Sequence, residues 1–189
     1  FIPKQKDSLI WSWIIFHEGM KEYYIQTEFS SNLFSYQKDV KINLISKLRK
    51  CKKQLKKYKL KLADIENNLM YEEITMLNTI IALCVINSYN IIVLHDNIYW
   101  DIIEPGERKT LCIKKVDDKY SINLENIDIF KLKETRIVVE NINKPLKAIS
   151  SYKANDIRDL CKKFNINMMK TPTKYKTKKE LYLLLQEQF

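Results

Sequence analysis

The sequence predicts an α+β protein, with a helix-rich N-terminal half carrying a small antiparallel sheet and, after it, a small C-terminal helical hairpin. Apolar residues recur at spacings of three and four through the first half, as they do on helices with one buried face. From Ile91 to Ile122 the pattern turns to short β-branched and aromatic runs separated by turn residues. After Pro145 helical spacing returns on both sides of a loop. A chain of 189 residues has room for one moderate body, over residues 1–143, and a small module over residues 144–189. Apolar content of 46 % argues against general disorder.

The first element is the cluster Leu9-Ile10-Trp11-Ser12-Trp13-Ile14-Ile15-Phe16. Its aromatic residues occupy more than one helical face, which predicts a well-buried helix capped by Asp7 or Ser8 and stopped at Gly19. Residues 23–36 are aromatic and polar without clean period, a loop or short helix. One long basic helix is expected over residues 38–63, its apolar stripe made of Ile45, Leu48, Cys51, Leu55, Tyr58 and Leu62. A second amphipathic pattern runs through Ile74, Leu77, Ile80, Ile81 and Cys84 and ends near Asn87. Ile91-Ile92-Val93-Leu94 then reads as a buried strand, and Ile98 to Ile103 as its return after an Asp96-Asn97 turn. Leu111 to Lys114 and Tyr120 to Ile122 form a further strand pair around Asp117-Asp118. Ile127 to Phe130 and Arg136 to Val139 extend this meander or mark a short closing helix. In the module, Ile157, Leu160, Cys161 and Phe164 share one helical face, residues 165–175 form a loop, and a last helix follows Thr177. Thr177 with Glu180 three residues on fits a capping box, and Leu181, Leu184 and Leu185 supply the apolar face. Two helices of this size bury little, so the module is expected to dock on the body or to fold on a partner.

The formal net charge is +10, and its placement carries more than its total. Residues 38–61 hold eleven bases and one acid, and residues 144–189 hold eleven bases and four acids, which leaves the remainder negative. Such blocks are either solvated lysine faces or platforms for a polyanion. Within the first block, Lys50, Lys53 and Lys57 are the candidate phosphate contacts. An excess of Lys, Asn, Ile and Tyr over Arg, Ala and Gly points to an AT-rich genome, which lessens what a lysine count alone can say.

Cys51, Cys84, Cys112 and Cys161 are far apart and form no C-x-x-C pair, as expected of reduced core cysteines in a cytosolic or nuclear-like compartment. With two His, a zinc site is not expected. No apolar run reaches membrane-spanning length, no signal peptide is evident, and a first residue other than Met suggests a fragment or a processed chain. No glycine-rich phosphate loop is present, so neither a P-loop nor a dinucleotide fold is expected. Asp96, Asp101 and Glu104 lie near strand ends, where nuclease metal ligands often sit, but they read better as turn and exposed hairpin residues. Neither cofactor nor small-molecule substrate is expected.

Leu146, Tyr152-Lys153, Asp156-Ile157-Arg158, Leu160-Cys161-Lys162-Lys163-Phe164 and Ile166, followed by Lys176-Thr177-Lys178-Lys179-Glu180-Leu181, resemble the SAP family of helix–extended loop–helix DNA-binding modules. The resemblance covers about residues 146–186. It implies that the first helix and the junction into the second approach a DNA backbone, through Lys153, Arg158, Lys162, Lys176, Lys178 and Lys179. The glycine usual in the family's loop is absent, and the loop is longer, with Pro172 inside it. Independently of the family, a helix starting at Thr177 offers backbone amides to an anion beside three lysines, a corner suited to phosphate.

Asp7 to Ser12, a helical middle, Ile81 to Cys84 before Asn90 to Val93, and Lys119-Tyr120-Ser121-Ile122 resemble the order of elements in OTU and papain-like cysteine proteases. Ser12 stands in the nucleophile place and Lys119 in the histidine place, and no imidazole follows His95. His17, five residues after Ser12, faces away on a helix, and Cys84 with His95 is the remaining pairing across a helix-to-strand turn. A thiolate needs an imidazole base and an orienting group, so the body is read as a non-catalytic scaffold, with a degenerate protease fold as the alternative. Asp7 is read as a helix cap rather than an acid of catalysis.

The combination of an aromatic N-terminal segment, a lysine-rich middle, a hairpin-rich region and a SAP-like tail resembles uncharacterised proteins of large cytoplasmic DNA viruses. That resemblance implies DNA and other viral proteins as partners, no membrane, and a place in the viral factory of the host cytoplasm or inside the virion, in packaging or late transcription. The expected function is non-enzymatic DNA association through phosphate contacts with little sequence specificity. The alternative is a protein–protein scaffold subunit without DNA contact.

Overall fold

The computed structural model describes residues 1–30, 32–125, 127–141 and 144–188. The expected boundary residue Asn143 and the terminal Phe189 lie outside the described residues. The α+β class holds, with two compact units: Phe1–His95 with Asp101–Asp128, and Asp96–Trp100 with Ile129–Phe189.

In the first unit, α1 (Ser8–Glu18) is buried over residues 8–15, as its apolar residues on every face require. Asp7 caps it by accepting the Ile10 N–H at 3.3 Å, and Gly19 ends it at φ 100°, a conformation other side chains rarely adopt. The same carboxylate accepts the Thr75 N–H at 3.1 Å and the Thr75 hydroxyl at 2.7 Å, and pairs with Lys41 Nζ at 3.2 Å. Asp7, Thr75 and Lys41 are all buried, so this polar knot ties three segments together inside the core. After α1 come α2 (Met20–Tyr24), a π-helical turn (Ile25–Phe29) and α3 (Leu33–Lys50), whose N-cap Asn32 accepts the Ser35 N–H at 3.0 Å.

The single helix expected over residues 38–63 is not formed. The segment is the end of α3, then α4 (Lys52–Lys57), then α5 (Leu62–Tyr71). Ile45, Leu48 and Leu55 are buried as the stripe requires, yet Cys51 leaves helical geometry at φ −108°, ψ 22°. Arg49 with Lys53, Lys52 with Lys56 and Lys53 with Lys57 would stack like charges one turn apart in a continuous helix, which destabilises it. The second break follows Tyr58. Lys59 adopts φ 56°, its N–H reaches Lys56 O at 3.1 Å, and the Leu60 N–H reaches Leu55 O at 3.1 Å. This is a Schellman stop with lysine where glycine is usual.

α6 (Leu77–Ile86) is buried over residues 79–84, while Ile74, expected on its apolar face, lies ahead of the helix and is exposed. The helix ends the same way, with Ser88 at φ 56° and the Tyr89 N–H on Cys84 O at 2.9 Å. The four expected strands follow: β1 (Asn90–His95), β2 (Ile98–Ile102), β3 (Thr110–Val116) and β4 (Lys119–Asn123). In this unit the strands β4, β3 and β1 lie side by side in that order. β4 pairs antiparallel with β3, but β3 lies parallel to β1, Asn90 facing Thr110 through Leu94 facing Lys114. The sheet is therefore mixed rather than all antiparallel, because the β2–β3 connection carries the chain past the start of β1. That crossing is held by Asn90, whose side-chain oxygen accepts the Glu104 N–H at 3.0 Å and whose own N–H donates to Lys109 O at 3.0 Å.

In the second unit, α7 (Ile129–Thr135) leads into β5 (Ile137–Val138), which pairs in parallel with Ile98 and Tyr99. A 3₁₀ turn (Ile149–Ser151) precedes α8 (Ala154–Lys163), which ends in a third Schellman stop with Asn165 at φ 54°. The expected loop holds a short antiparallel hairpin, β6 (Met169–Thr171) and β7 (Lys174–Tyr175), before α9 (Lys178–Gln186). Ile157, Cys161, Leu181 and Leu185 form the core between α8 and α9, edged by Leu146, Ile149, Tyr152 and Phe164.

Candidate nucleic-acid interface

The break at Cys51 turns the lysine run into an elbow. Lys50, Lys52, Lys53 and Lys56, with Cys51 and Gln54, line one open hollow along its outer side. Lys52 and Lys56 also line an adjoining hollow, floored by Leu60, Leu62 and Ala63 and edged by Lys61 and Glu66. The four lysines of the first hollow are all exposed. Lys47, Arg49 and Lys50 fall in the last turn of α3, where the partial negative charge of the helix end favours cations.

Three of the eleven bases meet carboxylates of the chain itself. Lys41 is buried on Asp7, Arg49 meets Glu66 at 2.8 Å, and Lys57 meets Glu104 at 3.0 Å. Lys57, expected at the interface, therefore points to a carboxylate of its own chain. Glu104 also accepts a short hydrogen bond from the Tyr58 hydroxyl. The Tyr58 hydroxyl and the Lys57 ammonium hold the Glu104 carboxyl below the usual carboxylate range, and Glu104 in turn raises Lys57. Lys50 and Lys53 keep the exposed positions expected of them.

In the module, the expected contacts separate. Arg158 and Lys162, on α8, line a hollow with Asn155, Asp159, Met168 and Tyr175. Lys153 is exposed ahead of α8, its N–H on Asp156 at 2.6 Å. Lys176 donates through Nζ to Asn167 O, while Lys178 and Lys179 begin α9; none of these lines the hollow. The phosphate corner expected at Thr177 holds a carboxylate already. Glu180 accepts the Thr177 N–H at 2.7 Å and the Thr177 hydroxyl at 2.9 Å, and pairs with Lys170 at 2.7 Å. Lys170 and then the Thr177 groups pull its carboxyl down to about 2, so it stays charged and opposes an anion there.

Tyr175 and Met168 gave no sign in the sequence, because they sit in a segment that reads as loop. The Arg158 guanidinium lies over the Tyr175 ring, 5.1 Å from its centre.

The residues weighed for catalysis have other surroundings and contacts. Ser12 is wholly buried, and its Oγ has no hydrogen-bond partner among the described residues. His17 stacks on Trp13 with ring centres 4.5 Å apart and shares a 3.0 Å hydrogen bond with the Tyr89 hydroxyl; burial lowers its pKa. Lys119 donates to Lys4 O at 3.1 Å. Burial pushes the Cys84 thiol far above its ordinary range, which suits a core cysteine rather than a nucleophile. His95 closes β1, Asp96 occupies the turn after it at φ 45°, and Asp101 lies in β2. Among the described residues, no three His, Cys, Asp or Glu gather as metal ligands, and no helix is long and apolar enough to cross a membrane. Compared with family models, with curated proteins and with solved structures, the chain matches none.

Proposed function

We propose that the protein is a non-enzymatic nucleic-acid-associating protein that grips the phosphate backbone, with DNA as the partner. The lysine elbow carries this reading. Lys50, Lys52, Lys53 and Lys56 surround one open hollow with no carboxylate in its lining, whereas Arg49 and Lys57 beside it are neutralised. Unneutralised ammonium groups at this density repel one another, and a polyanion relieves the repulsion while releasing its counterions. Because lysine contacts phosphate as a point charge, binding depends little on sequence. The SAP-like module supports the same reading through its resemblance, and the viral resemblance supplies the setting, a packaging or transcription assembly in the viral factory or virion.

The test is fluorescence anisotropy on a labelled duplex over a salt series, with the wild type and a K50Q/K52Q/K53Q/K56Q variant. Each lost phosphate contact reduces the slope of log K against log salt by about 0.9, so the variant is expected to lose about 3 to 4 in slope. Unchanged affinity and slope would remove the elbow from DNA binding.

The second reading, a scaffold subunit facing an acidic protein, is favoured by the apolar floor of Leu60, Leu62 and Ala63 in the adjoining hollow. It is expected to show as tight binding of an acidic, leucine-containing peptide that duplex DNA does not displace.

A further inference from the structure

We propose that the hollow between α8 and the β6–β7 hairpin accepts an unstacked nucleobase, so that the module binds single-stranded nucleic acid. This rests on the nucleic-acid reading above and adds a site that phosphate contacts do not supply. The hollow measures about 380 Å³, within the roughly 300–1,000 Å³ span of ligand clefts.

Its lining suits a base better than a phosphate. Arg158 covers part of the Tyr175 surface, and Asn155 Oδ1 holds the guanidinium at 3.3 Å. Tyr175 is still 52 % exposed, so the pair presents planar π and guanidinium surface to a ligand, and bases stack on both kinds of surface. Met168 adds an apolar wall. Asp159 sits in the same lining, where its carboxylate repels a phosphate but accepts a hydrogen bond from the exocyclic amino group of cytosine, adenine or guanine. Lys162 donates to Asp159 Oδ1 at 3.4 Å, so the amino group of the base is expected on Asp159 Oδ2. A paired base in a duplex has both faces covered, so only an unstacked one can enter.

The experiment measures binding of labelled oligo-dC, oligo-dT and a mixed-sequence duplex at one salt concentration, using the full chain and its Y175L, Y175F and D159A variants. Y175L keeps apolar bulk in the hairpin and removes the π face. It is expected to lose about 5- to 150-fold on oligo-dC, with duplex binding unchanged and Y175F close to wild type. Oligo-dC is expected to bind tighter than oligo-dT, which lacks the amino group, and D159A to erase that difference. Equal binding of oligo-dC by Y175L and wild type overturns the base site, while duplex binding through the elbow leaves the phosphate reading standing. Failure of the wild type to bind any of the three overturns both. A Y175L variant weakened equally on duplex and single strand, with Y175F weakened alongside it, also overturns the base site, because the residue would then be serving the fold.

Discussion

Removing the Asp7 carboxylate should damage the first unit more than removing its partner Lys41. Asp7 is 3 % exposed and Lys41 8 %, and the carboxylate has four partners: the Ile10 N–H, the Thr75 N–H and hydroxyl, and Lys41 Nζ. Asp7→Ala removes the cap of α1, leaves two Thr75 donors unmet and strands a buried ammonium. Breaking a buried pair from one side costs about 3–5 kcal/mol, a figure that includes the stranded charge, and the lost cap adds about 1 kcal/mol. Lys41→Met leaves a carboxylate that still accepts three hydrogen bonds, so its cost is expected nearer 1–2 kcal/mol. The D7A/K41M double variant should be less damaged than D7A alone, because no ammonium remains to be stranded. Urea unfolding followed by the emission of Trp11 and Trp13, both buried in the helix that Asp7 caps, reads these differences directly. If D7A costs under about 1 kcal/mol, or K41M costs as much as D7A, the account of this knot is wrong.

Lys59 and Asn165 occupy the same left-handed position after their helices, at φ 56° and 54°, but differ in how well they tolerate it. Lys59→Gly should stabilise by about 0.5–1 kcal/mol in chemical denaturation, and Asn165→Gly by close to nothing, because asparagine already visits this region. Glu180 has a depressed carboxyl pKa, so its stabilising contacts are complete above the ordinary carboxylate value of about 4.3 and are lost as pH falls toward about 2. A carboxyl NMR titration should find Glu180 near 2 in the wild type and well above it in a K170A/T177A variant; an unchanged value would deny these partners their role.

What could be read from the sequence was local. α1 and α6, the strands β1 to β4 and the Thr177–Glu180 box are specified by neighbouring residues, and each lies where the pattern puts it. What escaped was set by contacts between distant residues or lacked its customary marker. The stripe Ile45, Leu48, Leu55 keeps helical spacing through Cys51, so apolar periodicity is blind to the elbow. The helix stops at Lys59, Ser88 and Asn165 carry no glycine to announce them. Lys57 is paired by Glu104, 47 residues later, and the parallel partner of β1 depends on a connection that local patterns do not describe. Of the candidate site, what was legible was charge: Lys50, Lys53, Arg158 and Lys162 line hollows, whereas Tyr175 emerged only once the loop had become a hairpin.

The position of β1 has a consequence for how the first unit comes apart. Paired with β3 from Asn90 to Leu94 and buried over residues 90–93, β1 cannot shift by one residue without breaking that register and inverting Ile91, Ile92 and Val93 together. Its amides are accordingly the last to exchange with solvent, and the sheet frays inward from β4 before this strand lets go.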